Sequence, residues 1–154
     1  MKFDYETTVI PEWIDYNGHM QDCYYGLVFS LAVDATQEAV AFDQAYREST
    51  GCTIYLLEDH KYFLKEVKVG ALVQVQTRVL DVDAKKFQLH LEMSSGSNLV
   101  AACEFIELHV QQNPKPHAVE IPGQILEKLK SAKISQSEIV SLRHRSRELS
   151  IRTR

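Results

Sequence analysis

Asp22-Cys23-Tyr24-Tyr25-Gly26-Leu27-Val28-Phe29-Ser30-Leu31-Ala32-Val33 opens a stretch, residues 22–48, that only Gly26 interrupts. Leu27, Val28, Leu31, Ala32, Ala35, Ala39, Phe42 and Tyr46 recur at steps of three and four, the period of an α-helix. The spacing predicts one long helix running to about Glu48 and ended by Ser49-Thr50-Gly51. Its first half, Tyr24 to Val33, is apolar on nearly every side, which a one-faced surface helix would not be. Such a helix is expected to be wrapped by sheet, by another subunit, or by both.

What flanks the helix reads as strand. Phe3 to Ile10 is rich in β-branched and aromatic residues and stops at Pro11. After the helix, Thr53 to Leu57 leads into Tyr62-Phe63-Leu64 and then Val67 to Val69, closed by Gly70. Val73, Val75, Thr77 and Val79 alternate with Gln74, Gln76 and Arg78, a period of two. Asp81 to Lys85 suits a hairpin turn, Phe87 to Met93 alternates again, Ser94 to Asn98 is a second turn, and Leu99 to Val110 a last strand. Short turns between consecutive strands mean antiparallel pairing. The expectation is an α+β fold, one antiparallel sheet curled around a central helix. Asn113-Pro114-Lys115-Pro116 breaks the sheet, and a short helix is predicted from Gln124 to Ala132. We place one domain over residues 1–133 and a basic tail over 134–154, the latter a marginal helix or a disordered arm carrying Arg143, His144, Arg145, Arg147, Arg152 and Arg154.

Bulk properties exclude several functions. A net charge of −4 disfavours a nucleic-acid platform. No apolar run approaches the roughly 20 residues of a membrane helix, and the first residues lack a signal-peptide pattern. Cys23, Cys52 and Cys103 are far apart and odd in number, as expected of free thiols in a cytoplasmic protein. The six histidines form no HxH or HExxH pair, and GxSxG, GxGxxG and the P-loop are absent. No metal or cofactor is expected.

The chemistry is concentrated in Glu12-Trp13-Ile14-Asp15-Tyr16-Asn17-Gly18-His19-Met20, immediately before the helix. Asp15 can serve as general base on water or attack a thioester directly; Asp-x-Asn-Gly is also ordinary turn chemistry. The first-turn amides of Asp22, Cys23 and Tyr24 lack intrahelical partners and can polarise a carbonyl oxygen. Asn17 and His19 share the loop and can orient the reacting groups. Cys23, at a helix start, is a candidate nucleophile, and His60, in Glu58-Asp59-His60, a candidate ligand contact between two strands. Trp13, Tyr16, Tyr24 and Tyr25 cluster around the loop and offer aromatic faces to a cation.

Asp15-Tyr16-Asn17-Gly18-His19-Met20-Gln21-Asp22, with Tyr25 following, resembles the D-x-x-G-H-[VM]-N-N-x-x-Y block of hotdog-fold acyl-CoA thioesterases of the 4-hydroxybenzoyl-CoA thioesterase type. The longer run from Pro11 to Tyr25 looks most like the betainyl-CoA thioesterases of carnitine breakdown. The resemblance implies the hotdog fold, a homodimer or homotetramer with active sites at the subunit interface, an acyl-CoA substrate, Asp15 as the catalytic carboxylate, and an amide donor near Asp22 or Cys23. Gln21-Asp22 departs from the commoner Asn-Asn and sets a negative charge beside the thioester. Two alternatives use the same residues: a hydratase or dehydratase on a hydroxyacyl thioester, and a non-catalytic acyl-CoA binding module.

Overall fold

The structure is a computed structural model and describes residues 3–151; Met1, Lys2, Arg152 and Arg154 lie outside them. Strand β1 (Phe3–Thr8) leads through a single 3-10 turn (Pro11–Trp13) and a loop into α1 (Asp22–Ala39). There follow α2 (Gln44–Thr50), β2 (Cys52–Phe63), β3 (Leu72–Val82), β4 (Lys86–Ser95) and β5 (Asn98–Gln111). A two-residue strand β6 (His117–Ala118), α3 (Gly123–Ala132) and α4 (Gln136–Ser141) complete the order.

The sheet has the order β1-β3-β4-β5-β2, every pairing antiparallel, with β6 beside the end of β5. Its inner face carries Val73, Val75 and Val79 from β3, Leu89, Leu91 and Met93 from β4, and Ala101, Cys103 and Phe105 from β5, all buried. Onto them α1 lays Tyr25, Val28, Phe29, Ala32 and Val33, none more than 4% exposed. Each such large apolar side chain removed from water contributes about 1.5–3 kcal/mol, so the alternating strands and the three-four pattern of α1 specify one core between them. The curled sheet around a central helix is the hotdog arrangement.

The predicted helix to Glu48 is in fact two. α1 ends at Ala39, Ala41 takes a left-handed conformation (φ 80°), and Asp43 caps α2 by accepting from the Tyr46 amide at 2.8 Å. An Asp three residues before the bonded amide is strong N-cap chemistry, and it starts a second helix. The periodicity continued through the break because Phe42 and Tyr46 still face the core side: Phe42 is buried, and the Tyr46 hydroxyl meets His109 Nε2 at 2.8 Å. Gly51, at φ 68°, ends α2 as the residue just past it.

The segments read as Thr53–Leu57 and Tyr62–Leu64 are one twelve-residue strand, continuous through the charged Glu58-Asp59-His60-Lys61 with a bulge between Leu56 and Glu58. Val67 to Val69 is not a strand; buried Val67 instead accepts the Met20 amide at 2.8 Å, which ties the loop before α1 to the chain after β2. Among the described residues β2 pairs only with β5, and its other edge is open. Tyr55, Leu56, Leu57 and Phe63 are exposed along it, an apolar edge of the kind monomers usually avoid. On α1, Cys23, Leu27, Ser30 and Asp34 form an uncovered stripe.

The tail is neither a lone helix nor a free arm. A capping box between Ser135 and Glu138 starts α4. Beyond it, the chain crosses the outer face of the sheet as a strap. Glu104 takes an ion pair from Arg145 and a 2.7 Å hydrogen bond from Ser146, and buried His90 meets the Arg143 carbonyl at 3.1 Å through Nε2. Polar residues on the outer face of β4 and β5 give this basic segment its landing, a pairing that periodicity within the tail could not reveal.

Candidate active site

The loop before α1 is closed at both ends by its own backbone. Ile14 and Met20 form an isolated antiparallel bridge, the Asp15 amide donates to the His19 carbonyl at 3.0 Å, and the Gly18 amide donates to the Asp15 carbonyl at 3.0 Å. Gly18 turns the chain at φ 78°, where a side chain would be strained. Within this turn the Asn17 amide donates to Asp15 Oδ1 at 2.8 Å, and the Asn17 side-chain amide reaches Oδ2 at 3.4 Å. The turn role of Asp15 is thus real, and it fixes the carboxylate at the rim of a groove instead of consuming it.

That groove, of about 580 Å³, is lined by Asp15, Asn17, His19, Met20, Asp22 and Tyr25 on one side, and by Phe63, Leu64, Lys65 and Glu66 on the other. His19 Nε2 sits 3.0 Å from Glu66 Oε2, which orients the imidazole. The Tyr25 hydroxyl donates to the Lys65 carbonyl at 3.0 Å, and its ring meets Phe63 edge-on with centroids 5.4 Å apart. Burial pushes the Tyr25 phenol above its ordinary pKa, so it stays neutral. The N-cap of α1, Gln21, makes no side-chain bond to the helix. Its first-turn amides therefore carry the partial positive charge of an open helix start beside the groove. The Tyr24 amide is the exception, donating to the Gln21 carbonyl at 3.0 Å.

Asp15, Asn17, His19, Asp22 and Tyr25 come together here. The other predicted residues do not line the groove. Cys23 is exposed on the open stripe of α1. Trp13 and Tyr24 stack on each other at 5.7 Å, while Tyr16 is 97% exposed. His60 projects from the opposite face of β2, in ring contact with Tyr62. Phe63 reads only as part of a strand, and Lys65 and Glu66 follow that strand with no recognisable motif, so the sequence singles out none of the three. The one available signal was the charged Lys65-Glu66 pair between apolar segments, which marks a chain turn at the sheet's end.

A carboxylate, an oriented imidazole and open helix amides around one groove suit attack on a polarised carbonyl. The model of the thioesterase-like superfamily matches residues 9–129. The chain belongs to this superfamily. It is 39% identical over 129 residues to a betainyl-CoA thioesterase of Pseudomonas aeruginosa, covering 82% of this chain and 80% of that protein. It is 31% identical over 127 residues to an L-carnitine dehydrogenase/betainyl-CoA thioesterase of Rhizobium meliloti, where it spans 25% of the longer protein and 81% of itself. Among solved structures, a putative thioesterase from Pseudomonas putida KT2440 superposes with a TM-score of 0.80 at 26% identity, covering 99% of this chain and 97% of that one. A Staphylococcus aureus protein in complex with CoA shares the fold with a TM-score of 0.79 at 23% identity, over 96% of each chain. No helix among the described residues is long and apolar enough to cross a membrane.

Proposed function

We propose that this superfamily member hydrolyses an acyl-CoA thioester at the groove between the Asp15 loop and the end of β2, with betainyl-CoA as the preferred substrate. The observation that carries the reading is Asp15, held by Asn17 within the same groove as the uncapped start of α1. Asp15 takes a proton from water as the water oxygen bonds to the thioester carbonyl carbon. The carbonyl electron pair moves onto oxygen, where the Asp22 and Cys23 amides stabilise it, an effect of about 3–4 kcal/mol per donor. Collapse breaks the C–S bond, and the departing thiolate takes the proton from Asp15. His19, set by Glu66, and Asn17 position the water and the acyl group.

The betainyl assignment is supported by the naming of the relatives at 39% and 31% identity and by the groove's own chemistry. Phe63, exposed at the groove wall with Tyr25 packed edge-on against it, offers an aromatic ring to a trimethylammonium group, and Asp22 adds a negative charge. We further propose that two chains join along the open apolar edge of β2, extending the sheet across a dimer and closing each groove with the partner; the stacked Trp13 and Tyr24 then border the seam. The test is thiol release from acetyl-, butyryl-, octanoyl-, benzoyl- and betainyl-CoA. Turnover highest with betainyl-CoA is expected, whereas equal or greater turnover of octanoyl-CoA would overturn the substrate assignment. Release from none of them would overturn the hydrolase reading.

A further inference from the structure

The outer face of the sheet is unusually polar for a face that is partly covered. Two cross-strand rungs run over it: Arg78, His90, Glu104 and His60 form one, and Gln76, Glu92, Ala102 and Tyr62 the next. The strap crosses these rungs and is fastened at Glu104 by Arg145 and Ser146, and at Tyr62, whose hydroxyl donates to the Arg145 carbonyl at 3.0 Å. This fastening brings the strap's other basic groups to the end of β2. His144, in a left-handed conformation at φ 55°, has its ring centroid 5.3 Å from that of Tyr62, and the His60 centroid lies 4.9 Å from it. The Arg147 guanidinium stands over Tyr62 at 5.7 Å and, among the described residues, donates to the neighbouring Glu148 carbonyl. Three arginines within residues 143–147, in a chain of net charge −4, make this a local positive field. Two outer-face acids lie on the rungs beneath them, Glu104 paired with Arg145 and Glu92 paired with Arg78 at 2.8 Å, and Glu148 neighbours Arg147 in the strap itself.

The position matters as much as the charge. Tyr62 and Phe63 are consecutive in a strand, so their side chains point to opposite faces; Phe63 lines the catalytic groove while Tyr62 anchors the patch. The patch therefore begins one residue behind the groove's wall. Planar imidazole and guanidinium groups suit stacking of a purine base, and arginine forks suit phosphate oxygens.

Resting on the thioesterase reading above, we propose that the strap patch of His60, Tyr62, His144 and Arg147 binds the 3′-phosphorylated adenine-nucleotide end of coenzyme A. The strap then serves as a leaving-group clamp, remote from the bond that breaks, and the pantetheine arm spans from the patch to the groove.

The test compares acyl-CoA with acyl-dephospho-CoA in wild type and in the Arg147→Ala/His144→Ala variant. In wild type, loss of the 3′-phosphate is expected to raise KM about tenfold with kcat little changed. In the variant this discrimination is expected to shrink to less than about threefold. Persistence of the full tenfold ratio in the variant, or no discrimination in wild type, would overturn the proposal. Calorimetric titration with adenosine 3′,5′-bisphosphate reads the same site without turnover. Micromolar binding by wild type, weakened at least tenfold in the variant, is expected even if the preferred acyl group has been misjudged. Binding equal in both proteins, or none, would contradict the proposal. A protein that binds the bisphosphate at the patch yet cleaves no thioester would sink the hydrolase reading alone. Circular dichroism of the variant checks that the helices and sheet remain folded.

Discussion

Glu107→Gln is expected to stabilise the protein at pH 8 and to leave it nearly unchanged at pH 4. Glu107 lies on the inner face of β5, opposite Leu56 of the edge strand, and is only 3% exposed. Burial, and secondarily the charge of Asp34 on α1, push its carboxyl from the ordinary 4.5 up to about 7. An acid whose folded pKa is raised binds more protons in the native than in the unfolded state between those two values. Stability therefore falls as pH rises from about 4.5 to 7, then levels off. Raising the carboxyl to about 7 corresponds to roughly 3 kcal/mol of destabilisation once the group is ionised in both states. The isosteric amide carries no charge to desolvate and removes this cost. Near this chain length the gain corresponds to a rise in melting temperature of roughly 6–12 °C at pH 8. Urea unfolding of both proteins at matched concentration, at pH 4, 5, 6, 7 and 8, measures the difference directly. A stability difference that does not change with pH, or a Gln variant weaker than wild type at pH 8, would refute the reasoning and place a counter-charge beside Glu107.

Three other perturbations probe the loop, the strap and the edge. Gly18→Ala forces a side chain into φ 78° with open space around it; it should cost about 1 kcal/mol in stability but a larger share of kcat, read by steady-state assay, because the loop that aims Asp15 must re-form. Glu104→Gln removes the acceptor charge for Arg145 and should raise the rate of tryptic cleavage after Arg143 and Arg145 severalfold, measured by mass spectrometry, while the core resists. Leu57→Asp, at a side chain exposed on the open edge of β2, should leave the chain folded and convert the proposed dimer to a monomer in sedimentation velocity; an unchanged sedimentation coefficient would move the interface elsewhere.

The parts of the fold that were legible in the sequence are those where one period governs a whole element. The alternation in Val73 to Val79 and in Phe87 to Met93 marks two antiparallel strands, and the all-round apolarity of Tyr24 to Val33 marks a helix covered on several sides. Reading failed where tertiary contacts override a local pattern. The α1–α2 break depends on the Asp43 cap and on Tyr46 reaching His109, and the continuity of β2 through Glu58 to Lys61 depends on pairing with β5. The candidate site was half legible. Asp15, Asn17 and His19 are neighbours in sequence and so declare themselves. Phe63, Lys65 and Glu66 join them only because the chain after β2 returns to bond Met20. The aromatic residues divided for the same reason: next to one another in sequence, Tyr24 and Tyr25 point to different sides of α1, and only Tyr25 reaches the groove.

The central claim is that Asp15 performs the proton transfer at the open start of α1. Its most direct test is the single-turnover and steady-state rate of thiol release by Asp15→Asn against wild type, on whichever acyl-CoA wild type cleaves fastest. Asparagine keeps the turn's size and cannot accept the proton from water, so kcat should fall by about a hundredfold or more while the variant still binds CoA and melts near the wild-type temperature. A folded, CoA-binding Asp15→Asn protein that retains wild-type kcat would contradict the account and return the search for the base to His19 and Glu66.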